Sequence, residues 1–399
     1  MPKQGGRDIT IGIDGRCFLG PAAGTMRYAR ELSLGLQTAL SAPQVLVYGP
    51  ANMQLPHATG WAARTEPQPW WQQLPTILWY RWRAGQLAKR DNVGVFLAGA
   101  NFLPAFGLHR RAVSNPARLV SVLVVHDLVA ELFPRTLTWT HRLAHQLFLK
   151  TSIMQCDLLV ANSHGTAKRL FARYGRKPDF VLYPPIDSRF KPQSQASVAA
   201  VKQAYGLPRR YILTVGTIEP RKNLVSLIQA FAMLAKNGHQ LGALVIVGSH
   251  GWLHGDTNVA VTTARRSGLD IRLLGRVPDA DLPPLYAGSQ LFVLPSLYEG
   301  FGMPVAEALA CGARVLATDM PETREAGGNQ AFYCAPTADG LCLGIARALS
   351  ATATTSTQEP FDSEMPYRSH NETWISEVER LADLVRAKIR VKNCKTSPL

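Results

Sequence analysis

The sequence lacks several features that would place it in a specialised class of protein. Its six cysteines contain no C-x-x-C pair, which argues against a disulfide framework and against a structural zinc site. It contains no run of 18 consecutive apolar residues, so no segment is expected to span a bilayer. The polar stretch from Met1 to Asp8 is unlike a secretory signal peptide. These absences predict a folded protein in a reducing compartment, the cytoplasm.

The chain is long enough to bury more than one core. Its 399 residues exceed the ~150 residues that are usual for a single domain. Apolar residues make up 46% and charged residues 18%, which is typical of folded proteins and too hydrophobic for a disordered one.

Positive charge is concentrated in the first half. Residues 1–200 contain 23 Lys and Arg against 10 Asp and Glu, a net charge of +13, whereas residues 201–399 have a net charge of +2. A basic half can bind nucleic acid, an anionic membrane surface or a phosphorylated substrate, and it can also be merely soluble. The sequence shows no zinc-finger spacing, RNP motif or single dense basic helix. It therefore favours a membrane or phosphate partner over nucleic acid.

Tryptophan and basic residues are interleaved between positions 70 and 90. The residues concerned are Trp70, Trp71, Trp79, Trp82, Arg81, Arg83, Lys89 and Arg90. This combination is typical of a peripheral contact with an anionic membrane. Packing of the tryptophans inside a domain is an equally good interpretation.

Strand-like and helix-like segments alternate twice along the chain. Runs such as RLVSVLVV and DLLVAN in the first half, and RYILTVG and ALVIVG in the second, predict buried parallel strands. We therefore predict an α/β protein of two tandem Rossmann-like domains with parallel sheets facing a central cleft. The predicted segments are a first domain at 1–190, a linker at 191–207, a second domain at 208–365, and a C-terminal helix and tail at 366–399 that pack back on the first domain.

An anion-binding loop is predicted at 299–303. There a strand is followed by E-G-F-G and then by Pro304 at the start of a helix, which places backbone amides at a helix N-terminus. Glu299 lies in this loop and Glu307 in the first turn of the helix that follows, and carboxylates are good acceptors for vicinal hydroxyls. The pattern indicates a ligand that carries both phosphate and hydroxyl groups, although each glutamate alone could be a dipole partner or a solvated residue.

A second anion signal precedes a helix that begins near Leu224. Asn223 is a plausible N-cap, and Arg221 and Lys222 stand just before it. Two cations at the positive end of a helix dipole are unfavourable by ~0.3–1 kcal/mol each unless an anion lies between them. An arginine fork and a lysine point charge suit a diphosphate.

These motifs together resemble glycosyltransferase family 4. E-P-R-K-N is followed in the same half by E-G-F-G-M-P-V-A-E-A, and the likeness extends through VVHDL at 124–128, NSHGTAKRL at 162–170 and VLYPPID at 181–187. It covers most of the chain and is similar to bacterial mannosyltransferase-like members that build O-antigen or exopolysaccharide. The resemblance implies a GT-B fold and a retaining hexosyltransferase that needs no metal.

The resemblance also implies roles for the charged residues. Arg221 and Lys222 would neutralise the diphosphate of a nucleotide-sugar, Glu307 would bind its ribose, and Glu299 would hold hydroxyls of the donor sugar. His126 would contact the transferred sugar and help to orient the acceptor, without acting as the general base. We assign catalysis to Arg221, Lys222, His126 and Glu299.

Several backbone positions complete the implied donor site. They are Phe301 and Gly302 with their neighbours Gly300 and Met303, then Gly275 and Arg276 facing the base, and Gly24 at the start of the first helix. The Pro-Ala-Ala-Gly segment that ends at Gly24 departs from the tighter glycine loop of the family. Without a G-x-G-x-x-G motif, a nicotinamide dinucleotide is disfavoured.

Asp279-Ala280-Asp281 matches a metal-binding D-x-D, but Asp281 is better interpreted as a helix N-cap. We therefore predict no metal and no cofactor.

The sequence thus predicts transfer of a hexose, mannose from GDP-mannose, to a glycan or polyprenyl-diphosphate-linked acceptor, by a cytoplasmic enzyme that can contact the membrane peripherally. Alternatives are a UDP-sugar-dependent transferase, a sugar-nucleotide epimerase, a non-catalytic partner that binds nucleotide-sugar or membrane, and a nucleic-acid-binding protein.

Overall fold

The chain forms two compact units. A computed structural model describes residues 9–19, 24–53, 55, 57–66, 75–105, 119–134, 139–249, 251, 255–351 and 370–394. The first unit comprises the described residues of 1–128, 140–185 and 369–399, and the second comprises those of 129–139 and 186–368.

The first unit is built on a seven-stranded parallel sheet with the spatial order β3-β2-β1-β4-β5-β6-β7. The strands are β1 (Thr10–Asp14), β2 (Gln44–Tyr48), β3 (Trp61–Arg64), β4 (Val95–Ala98), β5 (Val120–Val125), β6 (Leu158–Ala161) and β7 (Phe180–Val181). Every residue of β4, β5 and β6 is buried, because helices cover both faces of the sheet.

The helices of the first unit divide between the two faces of its sheet. They are α1 (Gly24–Ala39), α2 (Thr76–Trp79), α3 (Gly85–Arg90), α5 (Trp139–Gln155), α6 (His164–Tyr174) and α14 (His370–Cys394), and a π-helical turn at Tyr80–Ala84 joins α2 to α3. Helices α1 and α14 share one hydrophobic core with the sheet, to which Leu381 and Val385 of α14 contribute. Helices α2, α3, α5 and α6 pack into a second core on the opposite face.

The second unit repeats this plan with a six-stranded parallel sheet of order β10-β9-β8-β11-β12-β13. Its strands are β8 (Tyr211–Val215), β9 (Ala243–Val247), β10 (Ile271–Gly275), β11 (Leu291–Leu294), β12 (Val315–Thr318) and β13 (Phe332–Cys334). Its helices are α4 (Val129–Leu132), α7 (Gln195–Ala204), α8 (Leu224–Lys236), α9 (Gly255–Arg266), α10 (Leu282–Ala287), α11 (Met303–Ala310), α12 (Pro321–Gly327) and α13 (Ala338–Ser350). The two sheets confirm the predicted pair of Rossmann-like domains.

The boundaries differ from the predicted ones in three places, the first being the end of the first domain, which lies at Pro185 and not at 190. The segment 191–207, predicted as a linker, contains α7, whose first turn is capped by the Ser194 hydroxyl accepting from the Ser197 amide at 3.1 Å. The Pro- and Ser-rich composition concealed this cap and the alanine-rich helix after it. Residues 129–139 group with the second unit although they precede it in sequence. The predicted end of the second domain at 365 lies outside the described residues.

Two glycines bring the ends of β8 and β9 together. Gly216 and Gly248 have φ angles of 153° and 152°, and a Cβ atom at Gly248 would lie 2.0 Å from the Gly216 carbonyl oxygen. Only glycine fits this approach.

Each sheet has one point where the strand order reverses, between β1 and β4 in the first and between β8 and β11 in the second. Ligands of open α/β sheets bind outside the carboxyl ends of the strands at such a point. The loops after these four strands are therefore where functional residues are expected.

Candidate functional site

The loops after β8 and β11 are joined at the switch point of the second unit. Arg221 and Lys222 lie in a 3-10 turn, Pro220–Lys222, between β8 and α8. The Leu297 amide, after β11, donates to the Arg221 carbonyl at 2.8 Å. This backbone bond places the basic turn beside the loop that carries Glu299.

Four charged side chains converge there. Arg221 donates through Nη2 to Glu219 Oε1 at 2.5 Å and through Nη1 to Glu299 Oε2 at 3.2 Å. Lys222 Nζ donates to Glu299 Oε1 at 2.6 Å, and the Ser296 hydroxyl donates to the same oxygen at 2.6 Å. Arg221 also donates to the Tyr298 carbonyl at 2.7 Å. The predicted residues Arg221, Lys222 and Glu299 therefore belong to one cluster.

The cluster keeps Glu299 ionised although its side chain is buried. Burial alone would raise the pKa of this carboxyl, but Lys222 and Arg221 outweigh that effect and lower the pKa to about 2. From the sequence, Arg221 and Lys222 were expected to need a bound anion. The structure shows instead that Glu219 and Glu299 supply negative charge from within the chain.

Lys222 also borders a small pocket. Its aliphatic stem crosses Gly216, where a Cβ atom would lie 3.2 Å from Lys222 Cε. The pocket is lined by Gly216, Lys222 and Ser296 among others. An ammonium group beside strand-end backbone is an arrangement that can bind a phosphate oxygen.

Asn223 stands at the N-cap position of α8 but does not cap it with its side chain. Its backbone is left-handed, with φ at 54°, and its amide Nδ2 donates to the carbonyls of Pro295 and Pro336 at 3.0 and 2.9 Å. The side chain therefore joins the basic turn to the loops after β11 and β13. The N-cap prediction was wrong because the Asn223 side chain accepts no hydrogen bond from the first turn of α8.

The E-G-F-G segment leads into α11 as predicted, with two corrections. Gly302 precedes the helix in a left-handed conformation with φ at 101°, which favours glycine. Gly300 is half-buried. The side chain of Phe301, which lies between Gly300 and Met303, is buried. The helix begins at Met303, so Pro304 is its second residue, not its first.

Glu307 lies in the second turn of α11, one turn later than expected. The first turn contains no acidic residue, so Glu307 is too far from the helix start for dipole stabilisation to explain it. Its side chain is only 3% exposed, and its Oε2 accepts from the Tyr286 hydroxyl of α10 at 3.1 Å. Its carboxylate therefore accepts from a hydroxyl of the chain itself, and its predicted role towards hydroxyls of a ligand stays a prediction.

The residues predicted to face the base lie at the end of β10. Gly275 is the last residue of this strand and has φ at 66°, and Arg276 follows it on the surface. The Gly248 amide donates to the Gly275 carbonyl at 2.8 Å.

In the first unit, His126 follows β5 and is 7% exposed. Its Nε2 lies 2.9 Å from the Gly99 carbonyl oxygen, which can only accept, so Nε2 carries the proton. Its backbone amide donates to Asn101 Oδ1 at 3.1 Å, and its ring meets the Tyr28 ring edge-to-face. Burial lowers the pKa of His126, so the ring is neutral near pH 7 with its lone pair on Nδ1.

Sequence reasoning missed the ion pair that supports this histidine. Arg16 bonds Asp14 at 2.7 Å and donates to the carbonyls of Ala100 and Phe102 at 3.1 and 3.2 Å. Its guanidinium lies 3.7 Å from the centre of the Tyr80 ring. The pair therefore fixes the loop that carries Gly99 and Asn101. The signal available in the sequence was a carboxylate at the end of β1, two residues before an arginine.

The remaining predicted positions have simpler surroundings. Gly24 is the first described residue of α1. Asp281 forms no side-chain cap, because its carboxylate accepts from the Tyr205 hydroxyl at 2.6 Å, and Asp279 pairs with Arg189 at 3.4 Å. Across the part of the chain that the structure describes, no three His, Cys, Asp or Glu side chains cluster as metal ligands.

The tryptophan-rich tract is partly core and partly surface. Trp79 is buried, and Trp82 is 47% exposed. Arg83 pairs with Glu66 at 2.7 Å. Trp70 and Trp71 lie outside the described residues. No helix within the described ranges is both long and apolar enough to cross a membrane.

Comparison with known families gives a match in each half. Residues 22–190 match the family model "Glycosyltransferase Family 4", and residues 200–358 match "Glycosyl transferases group 1". The O-antigen chain mannosyltransferase B of Escherichia coli is 38% identical over 205 residues, which are 50% of this chain and 54% of that protein. The mannosylfructose-phosphate synthase of Agrobacterium fabrum is 30% identical over 197 residues, 47% of this chain and 43% of that protein. The matches thus span about half the length of these curated relatives.

Solved structures share the fold over nearly the whole chain. The sucrose-phosphate synthase of Thermosynechococcus elongatus has a TM-score of 0.66 at 15% identity, covering 96% of this chain and 94% of that one. WaaG, a glycosyltransferase involved in lipopolysaccharide biosynthesis, has a TM-score of 0.64 at 17% identity and covers 98% of this chain and 100% of its own.

Proposed function

Because this chain belongs to glycosyltransferase family 4 and has the GT-B fold, we propose that it transfers mannose from GDP-mannose to a lipid-linked or polysaccharide acceptor. The assignment to mannose is supported by the relative named as an O-antigen chain mannosyltransferase. The acceptor then belongs to the synthesis of a cell-surface glycan.

The observation that carries this proposal is the cluster of Arg221, Lys222 and Glu299 at the switch point of the second unit. We propose that the two cations bind the donor diphosphate and that Glu299 accepts from hydroxyls of the donor sugar. Glu307 would accept from the ribose hydroxyls, as it accepts from Tyr286. Backbone amides from Gly300 to Met303 and the main chain at Gly275 and Arg276 would complete the donor contacts.

We propose that transfer retains the anomeric configuration. The acceptor hydroxyl oxygen bonds to the anomeric carbon on the face from which the diphosphate leaves, and the bond from that carbon to the diphosphate oxygen breaks. The hydroxyl proton passes to the departing diphosphate oxygen, so the products are a nucleoside diphosphate and the glycosylated acceptor. Catalysis then depends on positioning and on stabilising the leaving charge, which are the tasks of Arg221 and Lys222.

The first unit would bind the acceptor. A neutral His126 with a lone pair on Nδ1 can accept a hydrogen bond from a sugar hydroxyl. Gly24, at the start of α1, would add a backbone contact. The nucleotide-sugar is a substrate, and we propose no metal or further cofactor. We also propose that the enzyme works in the cytoplasm, in peripheral contact with the membrane that holds a lipid-linked acceptor.

The test is transfer of label from a panel of radiolabelled GDP- and UDP-hexoses by the purified protein in the presence of a bacterial lipid extract. We expect labelled lipid from GDP-mannose alone. Label from a UDP-hexose alone would overturn the choice of donor. Tight donor binding without transfer to any acceptor would identify a non-catalytic partner.

A pair of variants tests the site. Arg221→Ala should lower the rate of transfer by about 100-fold or more, because it removes charge from the leaving group. Arg272→Ala is the control, since Arg272 pairs with Asp270 on the surface of the same unit. Equal rates in the two variants would contradict the assignment.

A further inference from the structure

One face of the first unit is covered by helical segments that contain no acidic residue. These segments are 76–90, α5 and α6, and all three pack into the same core beneath the sheet. Their cations are Arg81, Lys89, Arg90, Arg142, Lys150, Lys168, Arg169 and Arg173, together with Arg83, which pairs with Glu66 of the preceding segment. We call this surface the basic helical face.

The opposite face of the same sheet is different. Helices α1 and α14 mix acidic and basic residues, and their charges pair along the helix, as Arg380 does with Glu377 and Arg386 with Asp383, both at 2.6 Å. The helical segments of one face therefore carry positive charge only, whereas the helices of the other face carry both signs of charge.

Large apolar side chains are exposed on the basic helical face. Leu143, Leu147 and Met154 are 46%, 56% and 54% exposed. Their spacing along α5 places them within about 40° of one another on one side of this helix. Trp82 and Phe171, each about half exposed, extend the apolar surface to the segments on either side.

The three segments are physically adjacent. The Arg81 guanidinium lies 5.1 Å from the centre of the Phe148 ring of α5. Beyond α6, Arg176 donates to the carbonyls of Ile153 and Cys156 at the end of α5. The cations and the exposed apolar side chains therefore belong to neighbouring elements of a single surface.

We propose that the basic helical face docks on an anionic phospholipid surface. Leucine, methionine and tryptophan side chains enter the boundary between headgroups and acyl chains, while lysine and arginine bind the lipid phosphates. Nucleic acid would use the charges but would leave Leu143 and Leu147 in water. The basic helical face is then the surface through which the enzyme reaches a lipid-linked acceptor. Only this purpose, and not the binding of lipid itself, rests on the proposed function.

The experiment is sedimentation of the full chain with vesicles, without donor or acceptor. Vesicles of phosphatidylglycerol mixed with phosphatidylcholine should bind the protein, and vesicles of phosphatidylcholine alone should bind it far less. Leu143→Ser combined with Leu147→Ser should lower the partition coefficient by about tenfold. The control is Ile375→Ser combined with Val391→Ser, which changes two equally exposed apolar residues of α14.

A second pair of variants tests the charge. Lys150→Glu should lower binding by about fivefold or more, since each cation near an anionic surface contributes a factor of about that size. Arg390→Glu on α14 is the control and should change binding by less than about twofold. Equal losses in face and control variants, or equal binding to both kinds of vesicle, would overturn the proposal. So would charge-dependent binding of single-stranded RNA by a protein that ignores vesicles.

Failure of this inference can be told apart from failure of the proposed function. A protein that binds anionic vesicles but transfers no sugar keeps the docking surface and loses the transferase. One that glycosylates a water-soluble acceptor but binds no vesicle loses the docking surface and keeps the transferase.

Discussion

The two units place different chemistry at the carboxyl ends of their strands, at the switch point in the second unit and one strand beyond it, after β5, in the first. In the second unit, side chains of opposite charge meet over 2.5–3.2 Å at the point where the strand order reverses. In the first unit, His126 is buried and neutral, and it is held by the Gly99 carbonyl and the Asn101 side chain. Paired charges therefore form one site, and hydrogen bonds to an uncharged ring form the other.

The two units share one architecture, and the chemistry of each site is determined by the residues of its loops. Both sheets supply a switch point, but the second unit fills it with the E-P-R-K turn and the E-G-F-G loop. The first fills it with the Asp14–Arg16 pair and the loop after β4, which hold His126 at the end of the neighbouring strand β5. The following changes should affect the two sites unequally.

The largest effect is expected from Lys222→Met, which keeps the stem across Gly216 but removes the ammonium group. We expect kcat to fall by about 100- to 1,000-fold, because the proposed contact of Lys222 with the departing diphosphate is lost. The measurement is transfer of labelled sugar at saturating donor. Lys236→Met, at the exposed end of α8, is the control, and a loss of under tenfold in Lys222→Met would refute a charge-binding second unit.

The next effect is on stability. Glu299 has a folded pKa of about 2, below its unfolded value near 4.5, so it stabilises the fold above pH 4.5 and loses this contribution as the pH falls towards 2. Glu299→Gln should therefore lower the free energy of unfolding by about 3 kcal/mol at pH 7 and by about half as much at pH 3. Urea denaturation at the two pH values measures this.

The surface pair of the first unit provides the control for that measurement. Glu377→Gln breaks an ion pair with Arg380 that is exposed to water and should cost less than about 1 kcal/mol at either pH. A pH-independent cost for Glu299→Gln would mean that the carboxylate is not held ionised by its cations.

A smaller effect is expected in the first unit. Because burial lowers the pKa of His126, its ring should stay neutral as the pH falls from 8 to 7, and it should cause no fall in the rate of transfer over that range. His126→Asn should lower the rate about tenfold at every pH, since a positioning contact is lost. His239→Asn, on the surface, is the control. A rate that drops with an apparent pKa near 6.5 only while His126 is present would show that it titrates during turnover.

The smallest effect is expected at Asp279 and Asp281. Their carboxylates face Arg189 and Tyr205, so Asp279→Asn combined with Asp281→Asn should change transfer by less than about twofold. Addition of EDTA should also leave the rate unchanged. A strong loss in either assay would restore the D-x-D interpretation and require a metal at the donor.

Local patterns predicted most of the fold. The apolar spacing of Leu224, Leu227 and Phe231 gave the buried face of α8, and the β-branched runs gave the parallel strands. The helix in 195–204 was missed because Pro and Ser near its start are equally common in linkers and in caps.

The site was predictable only where its residues adjoin in sequence. Arg221, Lys222 and Glu299 came from motifs, yet their pairing joins positions 77 and 78 residues apart, which no local spacing reveals. Glu219 stands inside the E-P-R-K motif and was passed over, because its role depends on the direction in which Arg221 folds back. The Arg16 support was missed for a similar reason, since its carbonyl partners are 84 and 86 residues away.

The position of α14 has a consequence for anyone who wishes to dissect the enzyme. Val378, Leu381, Ala382 and Val385 complete a core that is otherwise formed by residues of the first half, and Lys392 bonds the Leu119 carbonyl at 2.7 Å. A fragment that stops after residue 190 would expose that core and is expected to aggregate. Expression of the first unit alone therefore requires residues 369–399 to be joined behind Pro185 through a flexible linker.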